Sequence, residues 1–152
     1  MKRESIENGA TRLTTDGCSF TYWKFRPGVL LMQIAGDDMG LFGTATQDEA
    51  ERAFRRFGGP LELYVEATEA IPPATTVMED WIAWFAVNRQ RLKRVLMLIR
   101  PEDKVLHLTI EITRHLSRTG NLIEVCLDSE KFWSRLERAA PGAARQFNSA
   151  SA

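Results

Sequence analysis

Five apolar residues in succession, Val95-Leu96-Met97-Leu98-Ile99, constrain this chain more than any other stretch. A strand with one wet face alternates apolar and polar positions. A run with no polar position needs cover on both faces, which is the situation of a strand in a parallel sheet with helices on each side. Parallel neighbours cannot be joined by a tight hairpin, so the chain must supply long crossovers on either side of the run. It has room for them: 152 residues suit one domain, and a domain of that size buries roughly 70% of the surface of its unfolded chain. Hydrophobic residues at 44% and charged residues at 26% are ordinary for a folded globular protein.

The crossovers are legible as helices. Thr46-Gln47-Asp48-Glu49 has the form of a capping box, Ala50, Ala53, Phe54 and Phe57 follow on one helical stripe, and Gly58-Gly59 stops it. Leu61–Val65 reads as a strand, Pro72-Pro73 as a stiff loop, and Thr76-Val77-Met78-Glu79 as a second capping box with Thr76 as N-cap. Behind it Trp81, Ile82, Trp84, Phe85 and Val87 cover more than half of the helix, so this helix is expected to pack on the sheet and on something else, another helix or a partner. Residues 104–118 carry two patterns. Leu106, Leu108, Ile110 and Ile112 alternate as in a strand, whereas Val105, Leu108, Ile112 and Leu116 fall at helical spacing. The crossover needed before the apolar strand at 122–127 decides for helix. Asp128-Ser129-Glu130 then opens a last helix bearing Phe132, Trp133, Leu136 and Ala139.

Upstream, Asp16-Gly17 is a two-residue hairpin turn between strands at 11–15 and 18–25, and Arg26-Pro27-Gly28 turns the chain into a third strand, 29–34. The predicted order is β-β-β-α-β-α-β-α-β-α. Residues 1–9 lack any apolar period and residues 141–152 are small and polar, so both are expected to be flexible ends of a single domain spanning 10–140.

Twenty Lys and Arg balance twenty Asp and Glu, so no global field draws nucleic acid or an anionic membrane. The local clusters Arg55-Arg56, Arg89 to Arg94, and Arg114 with Arg118 read as solvated helix faces and ends. No stretch reads as a secretory signal or a membrane span, and a cytoplasmic location is expected. Cys18 and Cys126 are too few for a disulfide framework, and Cys126 sits in an apolar strand where a small buried side chain suffices. His107 and His115 are eight apart rather than the four that would put two imidazoles on one metal, so no metal is expected. Asp37-Asp38, just past the third strand, is a plausible place for a functional carboxylate pair but reads first as a polar turn. With no Gly-rich phosphate loop, nucleophile elbow or Cys-His pairing, neither a catalytic residue nor a cofactor is expected.

The order of elements, together with Trp81-Ile82-Ala83-Trp84-Phe85, Asn88-Arg89, Leu92, the string from His115 to Ile123, and Phe132, resembles the STAS fold and in particular a divergent bacterial SpoIIAA-like group. The resemblance covers roughly residues 10–139. It implies an α/β domain in which antiparallel strands lead into a mostly parallel sheet with about four helices. It also implies a non-enzymatic regulatory module that binds another protein, such as a kinase or regulator, or a second copy of itself. STAS domains carry an Asp-Ser-Ser/Thr-Gly motif at the start of the helix after the strand matching 61–65, where a serine is phosphorylated. Here that stretch is Ile71-Pro72-Pro73-Ala74-Thr75-Thr76-Val77, without Asp, Ser or Gly, and only Thr75 and Thr76 could take a phosphate or anion. The partner or ligand contacts that the resemblance implies are Trp81, Trp84, Asn88, Arg89, His115 and Arg118. The alternative it carries is a site for a small ligand, a lipid or another apolar molecule, between these helices and the sheet.

Overall fold

Each strand of the sheet is hydrogen-bonded to the strand that precedes it in the chain. The computed structural model describes residues 1–55 and 57–151, so Arg56, of the Arg55-Arg56 pair, and Ala152 lie outside the described residues. Seven strands, β1 (Lys2–Ser5), β2 (Thr11–Thr15), β3 (Cys18–Arg26), β4 (Val29–Gly36), β5 (Leu61–Ala70), β6 (Leu92–Leu98) and β7 (Ile123–Cys126), lie side by side in that order. The pairings from β1 to β4 are antiparallel and those from β4 to β7 parallel. Helices α1 (Ala45–Phe54), α2 (Thr75–Asn88) and α3 (Lys104–Leu116) are the three parallel crossovers, and α4 (Ser129–Ala139) and α5 (Ala143–Ser151) follow β7. The chain is therefore α/β as expected, but the sheet is evenly mixed rather than mostly parallel and there are five such helices among the described residues, not four.

Two differences at the ends account for this. Residues 2–5 pair with β2 as a strand, and Arg3 reaches across to Glu49 on α1, a fully buried carboxylate also met by Arg52 at 2.9 Å and Lys24 at 3.9 Å. A backbone ladder and an ion cluster hold β1, and neither leaves an apolar period in the sequence. At the other end residues 143–151 form α5, whose Phe147 packs on Trp23 and Trp133 with ring centroids 4.9 and 4.7 Å apart.

The strand order never reverses, and crossovers of one hand along a monotonic sheet put their helices on one face. Phe54 of α1, Val77, Trp81, Trp84 and Phe85 of α2, and Leu106 and Ile110 of α3 pack with Phe20, Leu63, Val65 and Val95 in one core layer. Phe132, Leu136 and Ala140 of the α4 region and Ala143 of α5 pack with Trp23, Leu31, Tyr64, Leu96 and Leu98 in the other. The 95–99 run is thus covered on both sides, by crossovers on one face and by the C-terminal helix pair on the other. The aromatic crowd on α2 finds its second contact inside the molecule: Trp84 stacks near Phe54 of α1 with centroids 6.3 Å apart.

Turns fall where glycine permits them. Asp16-Gly17 is the hairpin between β2 and β3, with Thr15 paired to Cys18 and Gly17 at φ +81°. Gly36 ends β4 at φ +94°, and a Cβ there would stand 1.9 Å from the carbonyl oxygen of Gly17, so no other residue fits. β5 runs five residues past the expected Val65. The extension is polar, and Glu66 is buried in it because Gln33 Nε2 donates to one carboxylate oxygen at 3.0 Å while Thr68 N–H and hydroxyl donate to the other. A buried carboxylate tolerated by three donors hides a strand from any reading by apolar pattern.

Candidate functional site

An apolar cavity of about 100 Å³ lies at the C-terminal ends of β4, β5 and β6, between the sheet and helices α2 and α3. Ligands of open α/β sheets bind beyond the carboxyl ends of the strands. The sequence makes the space with small side chains on β5, Ala67 and Ala70, where the neighbouring strands present Met32, Ile34 and Met97. Trp81 and Phe85 of α2 and Ile110 of α3 close it above. Two hydroxyls in the wall are spent internally: Thr109 Oγ1 donates to the carbonyl of Val105 at 2.9 Å and Thr113 Oγ1 to that of Thr109 at 2.8 Å. With their protons used, these hydroxyls can act toward the space only as acceptors.

Asp38 is the one titratable side chain in the wall among the described residues. It is 5% exposed, and the loop that carries it is tied on three sides. Its Oδ1 accepts the Gly40 N–H at 3.0 Å, its carbonyl accepts the Ala74 N–H at 3.2 Å, and the Asp37 N–H donates to Gly17 at 2.8 Å. Burial pushes its carboxyl above the ordinary value, the charges of Asp37 and Asp80 add to this, and the Gly40 N–H opposes it. Near it, burial followed by the charges of Asp38 and Asp37 pushes the Cys18 thiol up to about 12. A carboxyl held toward its neutral form beside an apolar space can donate a hydrogen bond to a carbonyl or hydroxyl, and can accept one when ionised.

The expected site residues do not form one constellation. Trp81, 9% exposed, lines the cavity. Trp84 is buried against Phe54 and Phe85 and is no part of that wall. Asn88 is buried at the C-terminus of α2, where its Nδ2 donates to the carbonyl of Trp84 at 2.8 Å and its Oδ1 accepts from Arg91 at 3.0 Å. Arg89, His115 and Arg118 are exposed, and the last two border a separate shallow groove with Arg114.

Thr75 and Thr76 are exposed in the first turn of α2. Neither caps it: Ala74 is the N-cap and no side chain bonds there, so the helix starts two residues before the expected cap at Thr76 and the capping box at 76–79 does not form. The box at 46–49 fails in the same way. Thr44 is the N-cap, and Thr46 is buried with its carbonyl accepting the Tyr22 hydroxyl at 2.8 Å. In both cases tertiary packing sets where the helix begins. The later helices do have side-chain caps: Asp103 accepts from the Leu106 N–H at 3.0 Å, and Asp128, where the last helix was expected to open, accepts from the Lys131 N–H at 3.2 Å. An anion at the start of α2 would stand near Asp37, Asp38 and Asp80, whose field opposes it.

Asp38 was legible as a turn residue first and as half of a possible functional carboxylate pair second, and Ala67 and Ala70 carried no signal beyond their small size. Among the described residues no three His, Cys, Asp or Glu side chains are grouped to hold a metal ion, and no helix is long and apolar enough to cross a membrane. Models of known families, curated proteins and solved structures were all compared with this chain, and none matches it.

Proposed function

We propose that this protein binds a small apolar ligand, its body in the cavity beneath α2 and α3 and its polar end at Asp38, and that it acts by binding rather than by catalysis. The observation that carries this reading is the cavity itself. Natural interiors are close-packed, and an apolar space of about 150 Å³ suffices to hold benzene; one of about 100 Å³ beside a carboxyl suits a short branched chain or small ring bearing a hydroxyl or carbonyl. The run of antiparallel strands into parallel crossovers in unbroken order also supports reading the domain as STAS-like.

The test is an NMR titration of isotopically labelled protein with three- to five-carbon alcohols and ketones. Saturable shifts centred on Val65, Ala67, Met97 and Ile110 are expected, and Ala67→Leu, which fills the space, should abolish them at a cost of about 1–3 kcal/mol in stability. Shifts that fail to saturate, or that survive Ala67→Leu in a folded variant, would refute the proposal.

A second reading, a module that docks a regulatory protein, is favoured by one observation: Val105, Leu108, Ile112 and Leu116 form an exposed aliphatic stripe along α3. A Leu108→Glu/Ile112→Glu variant separates the two, since it should leave the ligand titration intact and remove capture of such a partner. Control through a phosphate on Thr75 or Thr76 belongs to this second reading, and mass mapping of phosphopeptides from native protein decides it.

A further inference from the structure

At the opposite end of the strands from the cavity, where β5 and β6 begin, five cationic side chains and one carboxylate, Glu62, line a groove of about 420 Å³: the cations are Arg26 at the end of β3, Lys93 and Arg94 on β6, and Arg135 and Arg138 on α4. The chain as a whole carries no net charge, so this is a local accumulation. Two of the five are matched. Arg94 pairs with Glu62 at 3.5 Å, and Arg135 pairs with Glu124. Arg26, Lys93 and Arg138 have no carboxylate partner among the described residues. The dipole at the C-terminus of α4 gives a reason for Arg138 alone, because Arg26 and Lys93 sit on the sheet. Cations turned toward one concavity repel one another, and the arrangement becomes favourable when a multivalent anion enters.

We propose that this groove binds a small phosphate-bearing anion. Three unmatched cations call for more than a single negative charge, which a phosphomonoester or pyrophosphate supplies and a lone carboxylate does not. Guanidinium groups present planar forks of N–H donors that match phosphate oxygens, and the pinned Arg94 and Arg135 supply such forks with little ordering left to be lost. The cations converge on one dent rather than running as a stripe, which suits a compact anion more than a nucleic-acid backbone. Free phosphate compounds and phosphorylated lipid headgroups share this chemistry.

The experiment uses the full chain in two arms: calorimetric titration with sodium pyrophosphate at low ionic strength, and flotation with phosphatidylcholine vesicles with and without phosphatidylinositol 4-phosphate. Saturable binding of pyrophosphate, or flotation only with the phosphorylated vesicles, supports the site and says which source fills it. Lys93→Glu and the double variant Arg26→Ala/Arg138→Ala should each weaken binding by at least about tenfold, the wild-type affinity should fall as salt is added, and Arg100→Ala, exposed beyond the far end of β6, should bind as wild type. Thermal melts confirm that each variant is folded. Absence of saturable binding in both arms, or binding that both groove variants leave within about twofold of wild type, overturns the proposal.

Discussion

Asp38 has the most unusual setting of any ionisable side chain near the cavity. Its carboxyl titrates above the usual 3.8 because burial disfavours the charged form, with Asp37 and Asp80 acting in the same direction. The folded state therefore holds this proton more tightly than the unfolded state does. Stability contributed by the group is fully present below 3.8 and is lost as pH rises through the folded value. As pH rises past 3.8 the charge that the unfolded chain takes on freely becomes a cost to the folded state. Asp38→Asn keeps an oxygen to accept the Gly40 N–H and removes the charge. Its melting temperature is expected to exceed that of wild type at pH 7 and to converge with it near pH 3.5, as measured by calorimetry across that range. Equal melting temperatures at pH 7 would mean that solvent reaches the carboxylate. The sequence placed Asp38 just past the third strand but could not show its burial, which depends on the 70–74 loop folding over it.

At the scale of the element, α3 is the instructive case. It carries two apolar stripes, and only one is in the core: Leu106 and Ile110 are buried, whereas Val105, Leu108, Ile112 and Leu116 face solvent. The buried face continues through Thr113 and Ser117 rather than through more aliphatic residues. Their hydroxyls are satisfied by the carbonyls four residues earlier, at 2.8 and 2.6 Å, so they enter the core as small groups. The helix itself was legible from topology, since parallel strands need a crossover, but its orientation was not, because counting aliphatic residues favours the wrong face. Ile110→Ala should cost about 2–4 kcal/mol in urea denaturation, while Leu108→Ala should stay within about 0.5 kcal/mol. Similar costs for the two would mean that the helix is turned the other way. The aromatic crowd on α2 has a related explanation. Phe20 and Trp81 stack 6.3 Å apart at 10°, and Trp84 and Phe85 meet edge to face at 5.3 Å, so these rings build the layer between α1, α2 and the sheet rather than a surface for a partner.

Over the whole molecule, the unbroken strand order puts all three crossovers on one face and leaves the other to the C-terminal helices. The small, polar tail thereby acquires a role: α5 brings Phe147 against Trp23 and Trp133. Phe147→Ala should cost about 1–3 kcal/mol and red-shift tryptophan emission, since both indoles gain water; an unchanged spectrum and melt would mean that α5 does not hold this face.

What the sequence alone determined was whatever depends on local pattern: an α/β chain, the hairpin at Asp16-Gly17, the apolar run 95–99 covered on both faces and, up to Leu98, within a strand, and the identity of the crossovers as helices. What only the tertiary structure decided was whatever depends on who lies opposite. β1 is held by a ladder and by Glu49, the last half of β5 by donors to Glu66, and the starts of α1 and α2, which lack side-chain caps, by packing. The face that α3 buries, the cavity left by Ala67 and Ala70, and the meeting of Arg26, Lys93 and Arg138 in one groove belong to the same class. Nearly all of these contacts join residues far apart in the chain, and even where Thr68 meets Glu66 two residues away it is Gln33, from another strand, that completes the arrangement.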